Sequence, residues 1–590
     1  MTPFEELGTP VRSVNWVRAH AGQSLDGEDR VWATMGQQAE GFFIVDIDPV
    51  TGSSRQVGTS VANANYPTAT CVSRDGVLYV GVAYYGHLFA YDGATLRDLG
   101  AIKPGQATFP CRIDEDADGK LWIGSYGGAD LTSYDPATET FERYGSRDDE
   151  DMYCYPMVDH QSGRIACLIK VINQHVVLFD PKTREQTAVG PSMTKEEGVL
   201  DLVRGSDDNL YITALGQAWQ IVGEEVVACD PEVAVDDPRL KDGSRFGFAD
   251  ADTFLYQNLQ ITPEEGGPRS VSVAYEAAGS EIFMLHEGPD RRIYGSSILP
   301  LHFFAHNPST QETIDYGKAS ESGGEAYSMA NHDDRIYISS YPAARMSVYD
   351  PEREYEYGVE DGANPLELGR IDEISYRPRS TLAGPLGRIW TASLPDYGLW
   401  GGPLAWYDPK SGQRGSYRNV AREGSCYTLA HLESDGLIAI GTTINAGTGT
   451  QPREPEARLV LWDYEKETED WEGAPVGGLT TINALAVVSD HLYGTAIGED
   501  GGLLFKFDPG NRSFEVISND LPGRPLDHGL RQDDDTLYGV TNSALYSVTL
   551  SGIEIRHPIP DLFDVAGPIQ GGFLYFATNH RLRRIPVLPA

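Results

Sequence analysis

The chain has 590 residues, 40% of them hydrophobic, with 64 Gly, 36 Pro and a formal net charge of −41. That length exceeds one ordinary domain, and the Gly and Pro content suits many short strands and turns. A surface this acidic repels nucleic acid and anionic membranes, so neither is expected as a partner.

Only ten of the 46 basic residues are Lys, a bias that fits a high-salt habitat or a GC-rich genome. The N-terminus, Met1-Thr2-Pro3-Phe4-Glu5-Glu6-Leu7, has no basic start and no apolar core, and no stretch approaches 18 apolar residues. The chain therefore reads as soluble, cytoplasmic as it stands or secreted if a signal peptide was removed. The six Cys show no Cys-x-x-Cys spacing and read as small buried apolar residues.

Along the chain, nine short segments share an ending in which an apolar or aromatic residue, or His, precedes Asp or Asn and usually Pro. They are Ile47-Asp48-Pro49, Tyr91-Asp92-Gly93, Tyr134-Asp135-Pro136, Phe179-Asp180-Pro181, His306-Asn307-Pro308, Tyr349-Asp350-Pro351, Tyr407-Asp408-Pro409, Trp462-Asp463-Tyr464 and Phe507-Asp508-Pro509. Apart from one long gap they recur about every 43 to 58 residues. Apolar runs of about four to seven residues, bounded by Gly, Asp, Asn and Pro, surround each one, which is a strand and hairpin pattern. Asp can cap a tight turn and Pro presets φ, so each unit reads as an antiparallel meander of about four strands. Units of this period arranged radially are propeller blades, and about twelve or thirteen of them predict an all-β chain of two tandem β-propellers with six or seven four-stranded blades each.

The spacing breaks between about 230 and 280, where Asp230-Pro231-Glu232, Leu240 to Gly243 and Pro263 to Pro268 are polar or turn-rich. The expected division is an N-terminal propeller over 1–268 and a seven-bladed C-terminal one over 269–590. The last unit, Gly572 to Phe576 and Arg581 to Ile585, lacks a fourth strand; either Arg269 to Tyr275 or the N-terminus can supply it.

Asp114-Glu115-Asp116-Ala117-Asp118-Gly119 matches half of a calcium loop, but Ser73-Arg74-Asp75-Gly76 and Glu433-Ser434-Asp435-Gly436 occupy the same slot elsewhere. The run therefore reads as a turn between the first two strands of a blade. No nucleophile elbow, P-loop, His-Glu-x-x-His or dinucleotide fingerprint occurs.

Once the repeat is set aside, Tyr, Arg and His remain enriched in the loops after second strands and leading into first strands, which a propeller aims at its central mouth. Candidate catalytic residues are His302, Tyr341, Tyr376, Arg377 and Arg379. Candidate substrate-binding residues are His87, Tyr126, Glu325, Tyr327, Arg345, Asp396, Tyr397 and Trp400, the last three in an unusually long loop. His87, His175 and His302 share a slot at the start of a third strand. Aromatic faces with Arg forks suit a hydroxyl-rich, carboxylated carbohydrate. The chemistry they could perform is β-elimination at a uronate: Arg neutralises the carboxylate, while Tyr or His moves protons at C5 and the leaving oxygen. Hydrolysis by Glu325 and Asp396 is a lesser alternative.

The units from Tyr126 to Pro136 and, in looser form, from Tyr341 to Pro351 follow Tyr-x-Gly-x-x-Leu-x-x-Tyr-Asp-Pro. This blade pattern resembles that of the seven-bladed propeller polysaccharide lyases, such as ulvan lyases and rhamnose-glucuronate lyases. The resemblance implies His, Tyr and Arg at a propeller mouth and, in some members, a divalent metal, although no metal ligand is read from these residues. A non-catalytic propeller binding a glycan or protein through the same mouth is the competing reading. A quinoprotein is disfavoured by the lack of tryptophan-docking repeats and of a vicinal Cys pair.

Overall fold

The computed structural model describes residues 4–234, 247–248, 258–262, 269–489, 491–499, 501–549 and 552–588. The fold is all-β, built from four-stranded antiparallel sheets in which consecutive strands pair as a meander, the form of a propeller blade. By compactness the chain divides into residues 13–278 and a second unit made of residues 1–12 with 279–590.

In residues 13–278, five four-stranded sheets cover 15–58, 67–101, 109–146, 153–194 and 200–229. A three-stranded sheet follows, made of Gly247–Phe248, Asn258–Thr262 and Arg269–Ser272. Leu259, Val271 and Val273 pack with Val31, Val45 and Ile47 of the first sheet. The expected boundary at 268/269 therefore moves to 278/279, because Arg269–Ser272 pairs with Asn258–Thr262 inside this unit. The stretch read as a break contains strands of its own. Leu240 to Gly243 and Pro263 to Pro268 lie outside the described residues.

In the second unit seven sheets cover 282–317, 325–370, 375–417, 425–473, 479–518, 525–558 and 565–586. The fourth and fifth are linked by one bridge, Thr443 to Thr481. The first strand of each sheet touches the first strand of the next, and the last touches the first, so the seven form a closed cycle with these strands innermost. One apolar cluster fills each junction: Phe303 with Ile338, Met346 with Ile389, Trp390 with Ile438, Leu461 with Phe505, Leu504 with Leu537, Leu545 with Phe576, and Ile293 with Tyr575.

The missing fourth strand of the last sheet comes from the N-terminus. Glu5–Gly8 pairs antiparallel with Arg581–Pro586. Phe4 packs edge-on against Phe576 with ring centroids 6.2 Å apart. Glu5 meets Arg584 at 2.7 Å, and Glu6 meets Arg583 at 2.9 Å.

The recurring Asp or Asn has the same task in all nine segments. It follows or ends the third strand, and its side chain accepts a hydrogen bond from the backbone N–H two residues on, at 2.7–3.1 Å. This is an Asx turn, and it holds the third and fourth strands in register. The calcium-like run is also a turn: Asp116 accepts from Asp118 N, Lys120 N and Trp122 Nε1, and Asp114 accepts from Val158 N and Arg204.

Two predictions follow from these contacts. Deleting residues 1–9 exposes a strand edge and is expected to lower Tm and promote aggregation, whereas the double variant Glu5→Ala/Glu6→Ala costs only about 0.2–1 kcal/mol per ion pair by thermal unfolding. Asp408→Ala is expected to lower Tm while Asp408→Asn, the residue type found at 307, retains the turn; equal losses in both would overturn the Asx assignment.

Candidate functional site

The innermost strand Ser375–Ala383 carries Tyr376-Arg377-Pro378-Arg379, and its pairing with Ile389–Pro395 slips twice, between 375 and 377 and between 378 and 380. Pro378 cannot donate to the ladder; slips in the pairing of the first strand also occur in the sheets that begin at 282, 325, 425 and 479. Arg377 donates to Thr448 Oγ1 at 2.7 Å and to Tyr397 Oη at 3.1 Å. Its guanidinium lies 4.7 Å from the Tyr341 ring centroid and 5.2 Å from that of Tyr397. The hydroxyls of Tyr341 and Tyr397 are 3.0 Å apart. Arg379 stacks between Tyr327 at 4.6 Å and Tyr427 at 5.1 Å.

A second irregularity supplies the facing groups. On the innermost strand Pro525–Asp533, the pairing jumps from Pro525–Thr541 to Leu530–Gly539, so residues 526–529 bulge out of the ladder. His528 within the bulge adopts φ 52°, a left-handed conformation unusual for a residue with a Cβ. Asp527 accepts from Tyr427 at 2.7 Å and lies 3.5 Å from Arg379. His528 Nε2 donates to the Arg379 carbonyl at 2.7 Å, which leaves Nδ1 as its unprotonated nitrogen. Of these groups Tyr327, Arg379, Asp527 and His528 line a cavity of about 760 Å³, together with Glu281, His286, Glu287, Arg524, Arg531 and Asp564; Arg377, Tyr341, Tyr397 and Tyr427 lie outside its lining.

Burial decides the protonation of most of the site. It raises the phenols of Tyr327, Tyr341 and Tyr427 and pushes Tyr376 up to about 12. It lowers His528, and takes His286 down to about 4. It also lowers Arg531 to about 10, still a cation at neutral pH, whose N–H groups go to the carbonyls of Gly567, Ala566, Leu530 and His528. Burial opposes the charge on Arg377 as well, but Tyr397 and Tyr341 outweigh it and hold its pKa above the ordinary value. The cavity wall therefore presents the guanidinium groups of Arg379, Arg524 and Arg531, the carboxyl groups of Glu281, Glu287, Asp527 and Asp564, the neutral imidazoles of His286 and His528, and the protonated phenol of Tyr327.

Glu325 is 4% exposed at the start of the innermost strand Glu325–His332. Burial lifts it to about 7 against the pull of Arg377, a hydrogen bond from Tyr327, and Arg379.

Other candidates from the sequence lie elsewhere. His302 Nδ1 is 3.0 Å from Asp315, and Arg345 Nε donates to Glu367 at 2.8 Å, in each case across to the fourth, outermost strand. His87 makes the same contact with Asp98 at 2.8 Å in the other unit. Each acid also accepts from a glycine N–H two residues on, and Gly100, Gly317 and Gly369 all have positive φ, where a Cβ would be strained. The slot is a repeated latch, so these three residues belong to the scaffold. His175 instead meets the Asn173 carbonyl at 2.7 Å. Trp400 donates to the Gln451 carbonyl at 3.0 Å beneath Arg453, and Asp396 accepts from the N–H of Tyr397. Tyr126 is in the 13–278 unit, packed on Tyr153 at 4.4 Å.

The structure thus brings together Glu325, Tyr327, Tyr341, Tyr376, Arg377, Arg379 and Tyr397, and adds Tyr427, Asp527, His528, His286 and Arg531. The available signal for the added residues was polar side chains within runs that otherwise read as buried inner strands. Among the described residues no group of three or more His, Cys, Asp or Glu is arranged to hold a metal, no disulfide forms, and no helix is long and apolar enough to cross a membrane.

No family model and no curated protein matches the sequence. Among solved structures, the extracellular domain of BT4673 from B. thetaiotaomicron aligns over 99% of this chain and 82% of its own, at 11% identity and a TM-score of 0.37. PorZ, a surface component of the type-IX secretion system of Porphyromonas gingivalis, aligns over 97% and 86%, at 11% identity and 0.38. An inactive virginiamycin B lyase from Staphylococcus aureus with quinupristin aligns over 57% and 95%, at 12% identity and 0.29. None of these proteins' activities transfers on such a likeness.

Glu325 makes the site's pH dependence testable. Its folded pKa lies above the ordinary 4.5, so its contribution to stability is full below that value and is lost as pH rises through about 7. Glu325→Gln cannot ionise and is expected to gain Tm relative to the parent between about pH 5 and about pH 8. Parallel curves of Tm against pH would overturn the assignment.

Proposed function

We propose that the cavity of the 279–590 unit binds a carboxylated, hydroxyl-rich ligand, a uronic-acid-containing glycan. The observation that carries this reading is Arg379, which lines the cavity between two tyrosine rings, with Arg377 near it outside the lining. Arg377 donates only to neutral hydroxyls, and Arg379 has one long carboxylate contact. A ligand carboxylate in the cavity would reach the Arg379 guanidinium, which Tyr327 and Tyr427 hold in place by stacking on it. Calorimetric titration with uronate oligosaccharides checks it. Arg379→Ala is expected to weaken binding about 10-fold to 100-fold, the scale of a charged hydrogen bond, and Arg379→Lys to weaken it because Lys cannot reproduce the planar fork. Unchanged affinity in both would refute the reading.

Elimination is the second reading, favoured by His528 beside Arg379. Tyr341 and Tyr376, with their raised pKa values, make poor bases, and His302 is held by Asp315. His528 Nδ1 could accept the C5 proton while Arg379 stabilises the charge growing on the carboxylate; the electron pair then forms the C4–C5 double bond as the glycosidic oxygen leaves and takes a proton. Ultraviolet absorbance of unsaturated product is the assay. His528→Gln is expected to abolish product and keep binding; binding without product in the parent chain leaves a non-catalytic glycan-binding propeller.

A further inference from the structure

Two neighbouring innermost strands of the 279–590 unit lose regular pairing, and one side chain spans both gaps. On Pro525–Asp533, residues 526–529 leave the ladder. On Val565–Gln570 the pairing jumps from Ala566–Phe576 to Ile569–Leu574, so Gly567 and Pro568 leave it. Pro568 has no N–H to donate. A Cβ on Gly567 would lie 2.6 Å from the Tyr575 carbonyl oxygen, and one on Gly529 would lie 2.8 Å from those of Leu526 and Val540. Each departure frees carbonyl groups that a regular ladder would engage.

The Arg531 guanidinium takes up these carbonyls. Its Nε donates to Gly567 at 2.8 Å and Nη2 to Ala566 at 2.9 Å, both on the neighbouring strand. Its Nη1 donates to Leu530 at 2.9 Å and to His528 inside the bulge. Among the described residues no carboxylate pairs with Arg531, and burial alone moves its pKa, down to about 10. A buried cation without a counter-charge is a costly tie between strands, which points to a need for the geometry it enforces.

That geometry is the ligand site. The bulge sets Asp527 2.7 Å from the Tyr427 hydroxyl and 3.5 Å from Arg379, and it seats His528 Nε2 on the Arg379 carbonyl at 2.7 Å. His528 sits at φ 52°, which a residue with a Cβ keeps only where its surroundings enforce it. The carbonyl of that same residue is one that Arg531 holds.

We propose that Arg531 is a positioning residue, which pins the bulge 526–529 to Val565–Gln570 and so fixes Asp527 and His528 against Arg379. This role rests on the reading of the cavity as a ligand site, because Arg531 acts through the bulge and not on the ligand.

Histidine-selective nitrogen NMR of the full chain, with His528 assigned by its loss in His528→Gln, reads the pin without any ligand. In the parent, His528 is expected to keep Nδ1 unprotonated and to titrate below 6.5; burial lowers it most, Arg531 and Arg379 lower it further, and Asp527 raises it. Arg531→Lys keeps the cation but cannot span four carbonyls, so His528 is expected to exchange between tautomers and to titrate nearer 6.5 in a folded chain. Arg531→Met, which also removes the charge, is expected to shift it in the same direction. Calorimetric titration with hexameric oligogalacturonate reads the consequence. Arg531→Lys and Asp527→Asn are each expected to weaken binding about threefold to tenfold, and the double variant no more than either alone. An unchanged His528 in Arg531→Lys overturns the pin, as do losses that simply add, and so does an unfolded Arg531→Lys chain, which makes Arg531 a scaffold residue. Binding that needs Arg379 but ignores Arg531→Lys overturns the positioning role and leaves the cavity reading intact. A shifted His528 in a chain whose parent binds no oligogalacturonate supports the pin and counts against the cavity reading.

Discussion

The seven sheets of the 279–590 unit close where the innermost strand of the last sheet meets that of the first, and Glu5–Gly8 completes the outer edge of that last sheet; the unit depends on this closure. A row of antiparallel sheets left open has two exposed edges and no reason to keep its innermost strands facing one axis. Once the ends meet, each first strand faces the centre, and any departure from regular pairing on such a strand can project side chains there. The site uses two such departures, the slips around Pro378 and the bulge at 526–529. The ion pairs of Glu5 and Glu6 with Arg581, Arg583 and Arg584 set the register of the strand Glu5–Gly8, while the ladder and the burial of Phe4 contribute most of the strength of its attachment.

Polar groups in this protein do two kinds of work. In the repeated slots an Asx turn and a His or Arg latch satisfy backbone and side-chain groups locally, between the third and fourth strands and far from the axis. They look chemical in the sequence because Asp, His and Arg are also the residues of active sites. From the innermost strand Ser375–Ala383 the same residue types reach neighbouring sheets, Arg379 to Tyr427 and Asp527 and Arg377 to Thr448, while Arg377 also meets Tyr397 in a loop of its own sheet. Those contacts join residues up to 148 positions apart, and nothing in the blade repeat calls for them.

The molecule is strongly acidic overall, and the cavity mixes the two signs: Arg379, Arg524 and Arg531 stand with Glu281, Glu287, Asp527 and Asp564, beside imidazoles that burial keeps neutral. Close to Arg379, burial lifts the Glu325 carboxyl to about 7. Raised phenol pKa values keep the neighbouring tyrosines protonated.

The sequence alone determined the all-β class, the blade repeat and the turn identity of the calcium-like run, because these depend on local alternation and on turn residues such as Asp-Pro. It also singled out Tyr376 to Arg379, Tyr341 and Tyr397, since the starts of first strands and the ends of second strands can be located within the repeat. Only the tertiary structure decided that the N-terminus, and not Arg269 to Ser272, supplies the fourth strand of the last sheet, because strand pairing between chain ends leaves no local signature. It also separated His302, Arg345 and His87 from the site and brought in Asp527 and His528, since whether a side chain faces an outer strand or the axis depends on slips in pairing that neighbouring residues along the chain do not reveal.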